Sequence, residues 1–292
     1  MKIGIDLGGS HIGIGLVDGE KILEKTERDI VGRENTEEDI LNYIDDGIEK
    51  LKINHTIELV GIATPGNVKD NCMENLVNFG IQKLNFNSII RKYSDIKFQI
   101  RNDSKSAALA EQKYGALSKY NDSVFLCLGT GIGSAVFLNK KMLIANRNVG
   151  FELGHMIINK DGIWCNCGKK GCFETYCSIK RFKDNVKEVL GIEDISSENL
   201  IEVIQRSRGN EELENLINNY IENLIVGLSN IIDIFEPEAI CLGGSFVYFK
   251  DIFYDETVRR MNARKYVFNK DFIPEIVLAE LKNDAGIIGA TI

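Results

Sequence analysis

The sequence predicts an α/β protein built from two related domains. A strand, a glycine turn and a second strand open the chain as KIGID, GGS and HIGIGLV. The same device returns about 120 residues later as SVFLCLG, a GTG turn and GSAVFL. Segments with apolar residues at helical spacing alternate with these strands. The 292 residues are enough for two hydrophobic cores, and the repeat places the boundary near residue 115.

Taken in order, KIGID (residues 2–6) reads as a buried strand, followed by a turn at Gly8-Gly9-Ser10 and the strands HIGIGLV and KILEKTE. Thr36-Glu37-Glu38-Asp39 opens a helix to about Leu51: its first turn is acidic, and Ile40, Leu41, Ile44, Ile48 and Leu51 recur at helical spacing. ELVGIA and KFQIR are further strands, the second running into a helix at about Ser104–Tyr114. After the second strand–turn–strand unit, residues 211–235 form a long amphipathic helix that ends before Pro237. AICLGG is a late strand closed by Gly243-Gly244.

Composition narrows the function. A net charge of −8 speaks against nucleic acid as the main partner, because a phosphate backbone is met by basic patches. No apolar run approaches the ~20 residues of a membrane span. Asp6 and the glycines after it interrupt the N-terminal apolar stretch, so no signal peptide is expected. Seven cysteines, an odd number, point to a reducing cytoplasmic setting rather than a disulfide framework.

His155, Cys165, Cys167 and Cys172 lie within eighteen residues. Three thiolates and an imidazole are a ligand set for a structural tetrahedral zinc, and Gly168 and Gly171 let the chain wrap round an ion. Glu152 and Glu174 flank the cluster, so one ion would draw two distant carboxylates together. The structural alternative is a set of reduced core cysteines, the reading that also suits Cys127, Cys177 and Cys241. Trp164 beside the cluster reads as a lid on this loop.

DLGGS (Asp6–Ser10) puts a carboxylate at a strand end and glycines in the turn after it. The N–H groups of such a turn can cradle phosphate oxygens while Asp6 holds Mg²⁺; an ordinary hairpin turn is the alternative. LGTGIGS (Leu128–Ser134) repeats the turn but misses the dinucleotide fingerprint, since Ser134 takes the place of the third glycine. In RNDSKSAALAE, Asn102 and Asp103 stand at a strand–helix junction. There Asp103 is either a helix cap or a general base for a substrate hydroxyl.

In this order the motifs resemble those of sugar kinases of the ROK family (repressors, open reading frames and kinases), in the actin-like ATPase superfamily. DLGGS and LGTGIGS resemble its two phosphate motifs, GIATPG a turn of its first domain, and RNDS its asparagine–aspartate pair. ELGH with CNCGKKGCFE resembles its sugar-and-zinc signature, NIIDIFEPEAICLGGS its nucleotide-domain segment and NDAGIIGAT its terminal helix. The resemblance implies a two-domain actin-like (ribonuclease H-like) ATPase fold with a zinc-stabilised loop in the second domain. Residues 1–115 would be the N-terminal domain, completed by a C-terminal helix at about 284–292, and 116–283 the C-terminal domain.

It also implies that Asp103 takes the proton from a sugar primary hydroxyl. Gly66, Asn78, Asn102, Glu152, His155 and Glu174 would contact the sugar, His155 serving zinc as well. Asp6, Gly8, Gly9, Ser10, Gly129, Thr130, Gly131, Gly243 and Gly244 would lie at the nucleotide and its phosphates. Departures from the family pattern are Ser10 for threonine, Lys105 for asparagine, Phe151 and Asn148 for glycines, and a shorter terminal helix. The Phe151 ring either lines the sugar pocket or turns into the core.

The expected activity is transfer of the ATP γ-phosphoryl group to a hexose, with glucose as the default substrate, Mg²⁺ and structural Zn²⁺ as cofactors and a homodimer as the assembly. A sugar-sensing regulator of the same family is the alternative; the first strand begins at Lys2, which leaves no helix-turn-helix segment ahead of it, so the kinase is expected. A non-catalytic sugar binder is the other alternative.

Overall fold

Apolar residues on both faces of the first strand bury it at the centre of a five-stranded sheet. Strand β1 (Lys2–Leu7) turns back antiparallel into β2 (His11–Asp18) and β3 (Lys21–Asp29). Helix α1 (Glu37–Lys52) follows, with a capping box in which Thr36 and Asp39 satisfy each other's backbone N–H groups. It covers the sheet with Ile40, Ile44, Ile48 and Leu51. Next come β4 (Leu59–Thr64) and a small antiparallel sheet of β5 (Val68–Lys69), β6 (Cys72–Leu76) and β7 (Ile81–Asn85). Then α2 (Asn87–Lys92) and β8 (Lys97–Asn102) lead into α3 (Asp103–Tyr114). The large sheet runs β3-β2-β1-β4-β8, with β4 and β8 parallel to β1. The computed structural model describes residues 1–8, 11–30, 36–66, 68–76, 81–145, 151–193, 197–264 and 273–292.

The chain gathers into two compact units, the first holding Met1–Lys119 and Glu280–Ile292, the second Tyr120–Leu143 and Phe151–Ala279. In the first, the C-terminal helix Ala285–Ala290 lies on β1, β4 and α3 at backbone contact. A Cβ on Gly61 of β4 would stand 1.8 Å from the carbonyl oxygen of Ala290. Only glycine permits that approach.

The second unit winds the same way. Strand β9 (Ser123–Leu128) turns back into β10 (Ile132–Leu138) and the short β11 (Lys141–Met142). After the cysteine loop come α4 (Glu174–Cys177), α5 (Ile179–Leu190), α6 (Ser197–Arg206) and α7 (Glu211–Phe235). Strand β12 (Ala239–Gly243), helix α8 (Lys250–Ala263) and strand β13 (Glu275–Leu278) complete the unit. Its sheet order, β11-β10-β9-β12-β13, matches that of the first unit, with an antiparallel hairpin followed by parallel strands. Leu213, Ile217, Tyr220 and Leu224 form the buried stripe of α7. Phe182 of α5 and Phe253 of α8 meet Tyr220 there, the Tyr220 and Phe253 rings stacked at 4.1 Å. Among the described residues no helix is long and apolar enough to cross a membrane.

The close approach at Gly61 gives a stability prediction. Gly61→Ala should lower the unfolding free energy by about 1–3 kcal/mol, the usual cost of overpacking a filled site. A denaturant midpoint equal to that of the parent would mean that the C-terminal helix is not seated on β4 as described.

Candidate functional site

In the first unit the candidate residues sit at the carboxyl ends of three adjacent parallel strands, the edge where open α/β sheets bind ligands. Asp6 lies near the end of β1, Gly66 just beyond β4, and Asn102 ends β8; Asp6 pairs with Ala63, and Thr64 with Asn102. The C-terminal helix passes so close that a Cβ on Gly286 would stand 2.3 Å from the Asp6 carboxylate. That burial, helped by the negative charge of Asp103 and opposed by Lys25, pushes the Asp6 carboxyl up to about 7. Burial also raises Asp103, against the pull of its hydrogen bonds.

Asp103 is not the helix cap. Asn102 caps α3, its Oδ1 accepting from the Lys105 N–H at 3.1 Å, while its Nδ2 donates to the Gly66 carbonyl at 3.4 Å. The Asp103 Oδ1 accepts from Ser104, 2.6 Å from the backbone nitrogen and 3.1 Å from the hydroxyl. The Gly8 N–H closes the β1–β2 turn on the His11 carbonyl at 3.0 Å. Gly9, Ser10, Asn78 and Asn148 lie outside the described residues.

In the second unit the two glycine turns are neighbours. The β9–β10 turn closes by a bond from Gly129 N–H to the Gly131 carbonyl at 2.9 Å, with Thr130 exposed at its tip. The first turn of α5 holds it, Lys180 N–H donating to the Gly129 carbonyl at 3.1 Å. Gly243 ends β12 and Gly244 follows it, and a Cβ on Gly244 would lie 2.7 Å from the Leu128 carbonyl oxygen.

His155 stands in a short 3-10 turn, Leu153–His155, that begins just after the exposed Glu152. Its Nδ1 is 3.7 Å from Cys165 Sγ, Cys167 Sγ is 3.5 Å from Cys172 Sγ, and the four donor atoms all lie within 4.8 Å of one another. A tetrahedron with Zn–S bonds of ~2.3 Å has edges of about 3.8 Å, so the donor set fits zinc in size as well as in chemistry. Burial and the two neighbouring sulfurs push the Cys172 thiol up to about 12, and a cation would reverse that repulsion. Gly168 and Gly171 take positive φ values of 85° and 74° as the loop turns.

Glu174 joins this loop to the glycine turn. Its Oε2 accepts from the Ile132 N–H at 2.8 Å, and its Oε1 is 3.9 Å from Cys165 Sγ. A Cβ on Gly131 would stand 2.4 Å from that same Oε2, which explains the glycine. One expectation is corrected. Trp164 is 69% exposed, with the Lys170 ammonium 4.8 Å over its ring, so it shields the cluster little. The Phe151 ring packs against the core of the second unit, as the second of its two readings had it. Nothing in residue spacing marked the Ile132 N–H as a partner for Glu174, because a backbone donor leaves no trace in sequence.

A family model described as the ROK family matches residues 2–292. The glucokinase of Thermotoga maritima is 29% identical over 99% of this chain and 95% of its own. The xylose repressor of Caldicellulosiruptor bescii is 28% identical over 98% of this chain and 76% of its own. Among solved structures, a ROK family glucokinase from Streptomyces griseus in complex with glucose and AMPPNP superposes with a TM-score of 0.78. It shares 24% identity and covers 99% of this chain and 97% of that one. The fold is the mixed α/β fold of these structures.

The cysteine cluster predicts metal content. Elemental analysis should return about one zinc per chain, and Cys172→Ser should lose it together with thermal stability, because metal binding orders the loop. A metal-free protein with an unchanged melting temperature would remove zinc from this account.

Proposed function

Because the chain belongs to the ROK family, we propose that it is an ATP-dependent hexose kinase that makes a sugar 6-phosphate, with glucose as the first substrate to test. The observation that carries this reading is the neighbouring pair Asp6 and Asp103 at the ends of parallel strands. On this reading one carboxyl would accept a proton and the other would face a cation.

Asp103 would take the proton of the primary hydroxyl as that oxygen attacks the γ-phosphorus, and ADP would leave on the opposite side. Asn102, Glu152, His155 and Glu174, with Gly66 and Asn78, would hold the sugar hydroxyls. Glu174 keeps acceptor capacity beyond its bond to Ile132, since a carboxylate offers about four lone-pair sites. Backbone N–H groups of the turns at Gly8-Gly9-Ser10, Gly129-Thr130-Gly131 and Gly243-Gly244 would meet phosphate oxygens. Asp6 suits Mg²⁺: burial and a neighbouring carboxylate make its negative charge costly, and a divalent cation would offset that while neutralising phosphate charge. Seven free cysteines support a reducing, cytoplasmic setting. A homodimer is the assembly we expect.

A sugar-sensing regulator is the second reading, favoured by the likeness to the xylose repressor. It calls for sugar binding without turnover. A coupled ADP-release screen over glucose, fructose, allose, mannose and N-acetylated hexosamines separates the two. Turnover on at least one hexose supports the kinase, and binding with no ADP release supports the sensor.

Two predictions follow from Asp103. Asp103→Asn should cut phosphoryl transfer by ~10²–10⁴-fold, the usual worth of a positioned base, with sugar affinity retained. A variant within a few-fold of the parent would leave Asp103 without a catalytic role. Burial holds the proton on Asp103 to higher pH than on an ordinary carboxyl, and on Asp6 to about 7. Acidification therefore removes both charged forms early. The acid limb of kcat/KM should lie above the normal carboxylate range, and a profile flat down to ordinary carboxylate pH would contradict this.

A further inference from the structure

Phe151 stands in the left-handed region, at φ 62°, where a side chain is strained and glycine is at ease. It is also the residue immediately before Glu152, so any relaxation of its backbone would swing that carboxylate. Something must hold the peptide in place, and the neighbouring strand supplies it.

Ser134, on β10, is buried at 2% exposure. Its hydroxyl donates to the Phe151 carbonyl at 2.6 Å and accepts from the Leu153 N–H at 2.9 Å. The two bonds bracket Glu152 on either side. Beyond them the chain enters the Leu153–His155 turn, which lies so close to β10 that a Cβ on Gly154 would stand 2.4 Å from the Ile132 carbonyl oxygen.

We propose that Ser134 is a positioning residue for sugar binding: its hydroxyl bridges Phe151 and Leu153 and so fixes the direction of Glu152 against the strain at Phe151. The proposal rests on the reading of Glu152 as a sugar contact. Ser134 itself touches no substrate. A serine hydroxyl has one proton to donate and lone pairs to accept with, so it meets both demands at once. Alanine meets neither and takes this partner from a buried N–H and a part-buried carbonyl.

Strain and bridge belong together, which makes the test a double-mutant cycle. In Ser134→Ala the KM for the preferred hexose should rise at least ten-fold, with the KM for ATP and kcat at saturating sugar within about two-fold. Amide exchange at Leu153 should quicken in the same variant, a readout independent of activity. In a Phe151→Gly background the left-handed backbone is no longer strained, so Ser134→Ala should cost clearly less there. Should Ser134→Ala not fold, Ser134→Cys, which weakens both bonds at similar volume, should shift the sugar KM the same way.

An unchanged sugar KM in an active Ser134→Ala enzyme, or an equal penalty in both backgrounds, overturns the proposal while leaving the kinase reading intact. A parent protein that phosphorylates no hexose overturns both.

Discussion

The hydrogen bond from the Ile132 N–H to the Glu174 carboxylate, 2.8 Å long, joins two parts of the second unit that the chain brings in from far apart in sequence. On one side is the glycine turn between β9 and β10; on the other is the loop that carries His155, Cys165, Cys167 and Cys172. Glu174 comes two residues after the last cysteine, so whatever orders that loop also places the carboxylate. Four donor atoms within 4.8 Å of each other are a costly arrangement without a cation, since three sulfurs then share one small volume. With a cation the same arrangement becomes a brace. The turn, the loop and the carboxylate constrain one another, and Gly131 leaves the space in which they meet.

The first unit shows the same logic with a helix in place of the cysteine loop. The C-terminal helix closes over Asp6 through small residues, and its burial costs the carboxyl its ordinary acidity. Asp103 sits beside it with a raised proton affinity of its own. Two partly desolvated acids side by side are a poor way to stabilise a fold and a good way to attract a cation or a proton. Asn102 meanwhile caps the helix that Asp103 begins, so the cap does not occupy the Asp103 carboxylate.

Much of this was legible in the sequence because it has local causes. The capping box at Thr36 and Asp39, the glycine-turned hairpins and the apolar stripe of α7 are short-range patterns, and each lies where the pattern places it. The close spacing of the cysteines and His155 likewise foreshadowed donor atoms that meet. What escaped was non-local or backbone-borne. The small sheet of β5, β6 and β7, the edge strand β13 and helix α8 have signals too short or too weak to stand out, whereas α5 carries a clear apolar stripe of Ile179, Phe182 and Val186 that went unmarked. Phe151 left two readings open, pocket lining or core, because a bulky side chain stood where glycine was expected. Its φ of 62° explains the expectation of glycine instead, and its ring turns into the core. Ser134 looked like a failed third glycine and proves to be a hydroxyl with two backbone partners.

The central claim is that this chain transfers a phosphoryl group to the primary hydroxyl of a hexose, using Asp103 as the base. Phosphorus NMR of a reaction of the purified protein with ATP, Mg²⁺ and glucose, or the best hexose from a panel, tests it most directly. The account predicts a new monoester resonance split by the two protons of the adjacent carbon, growing as ADP grows, and absent with Asp103→Asn. A protein that binds the sugar yet gives no ester with any hexose would contradict it.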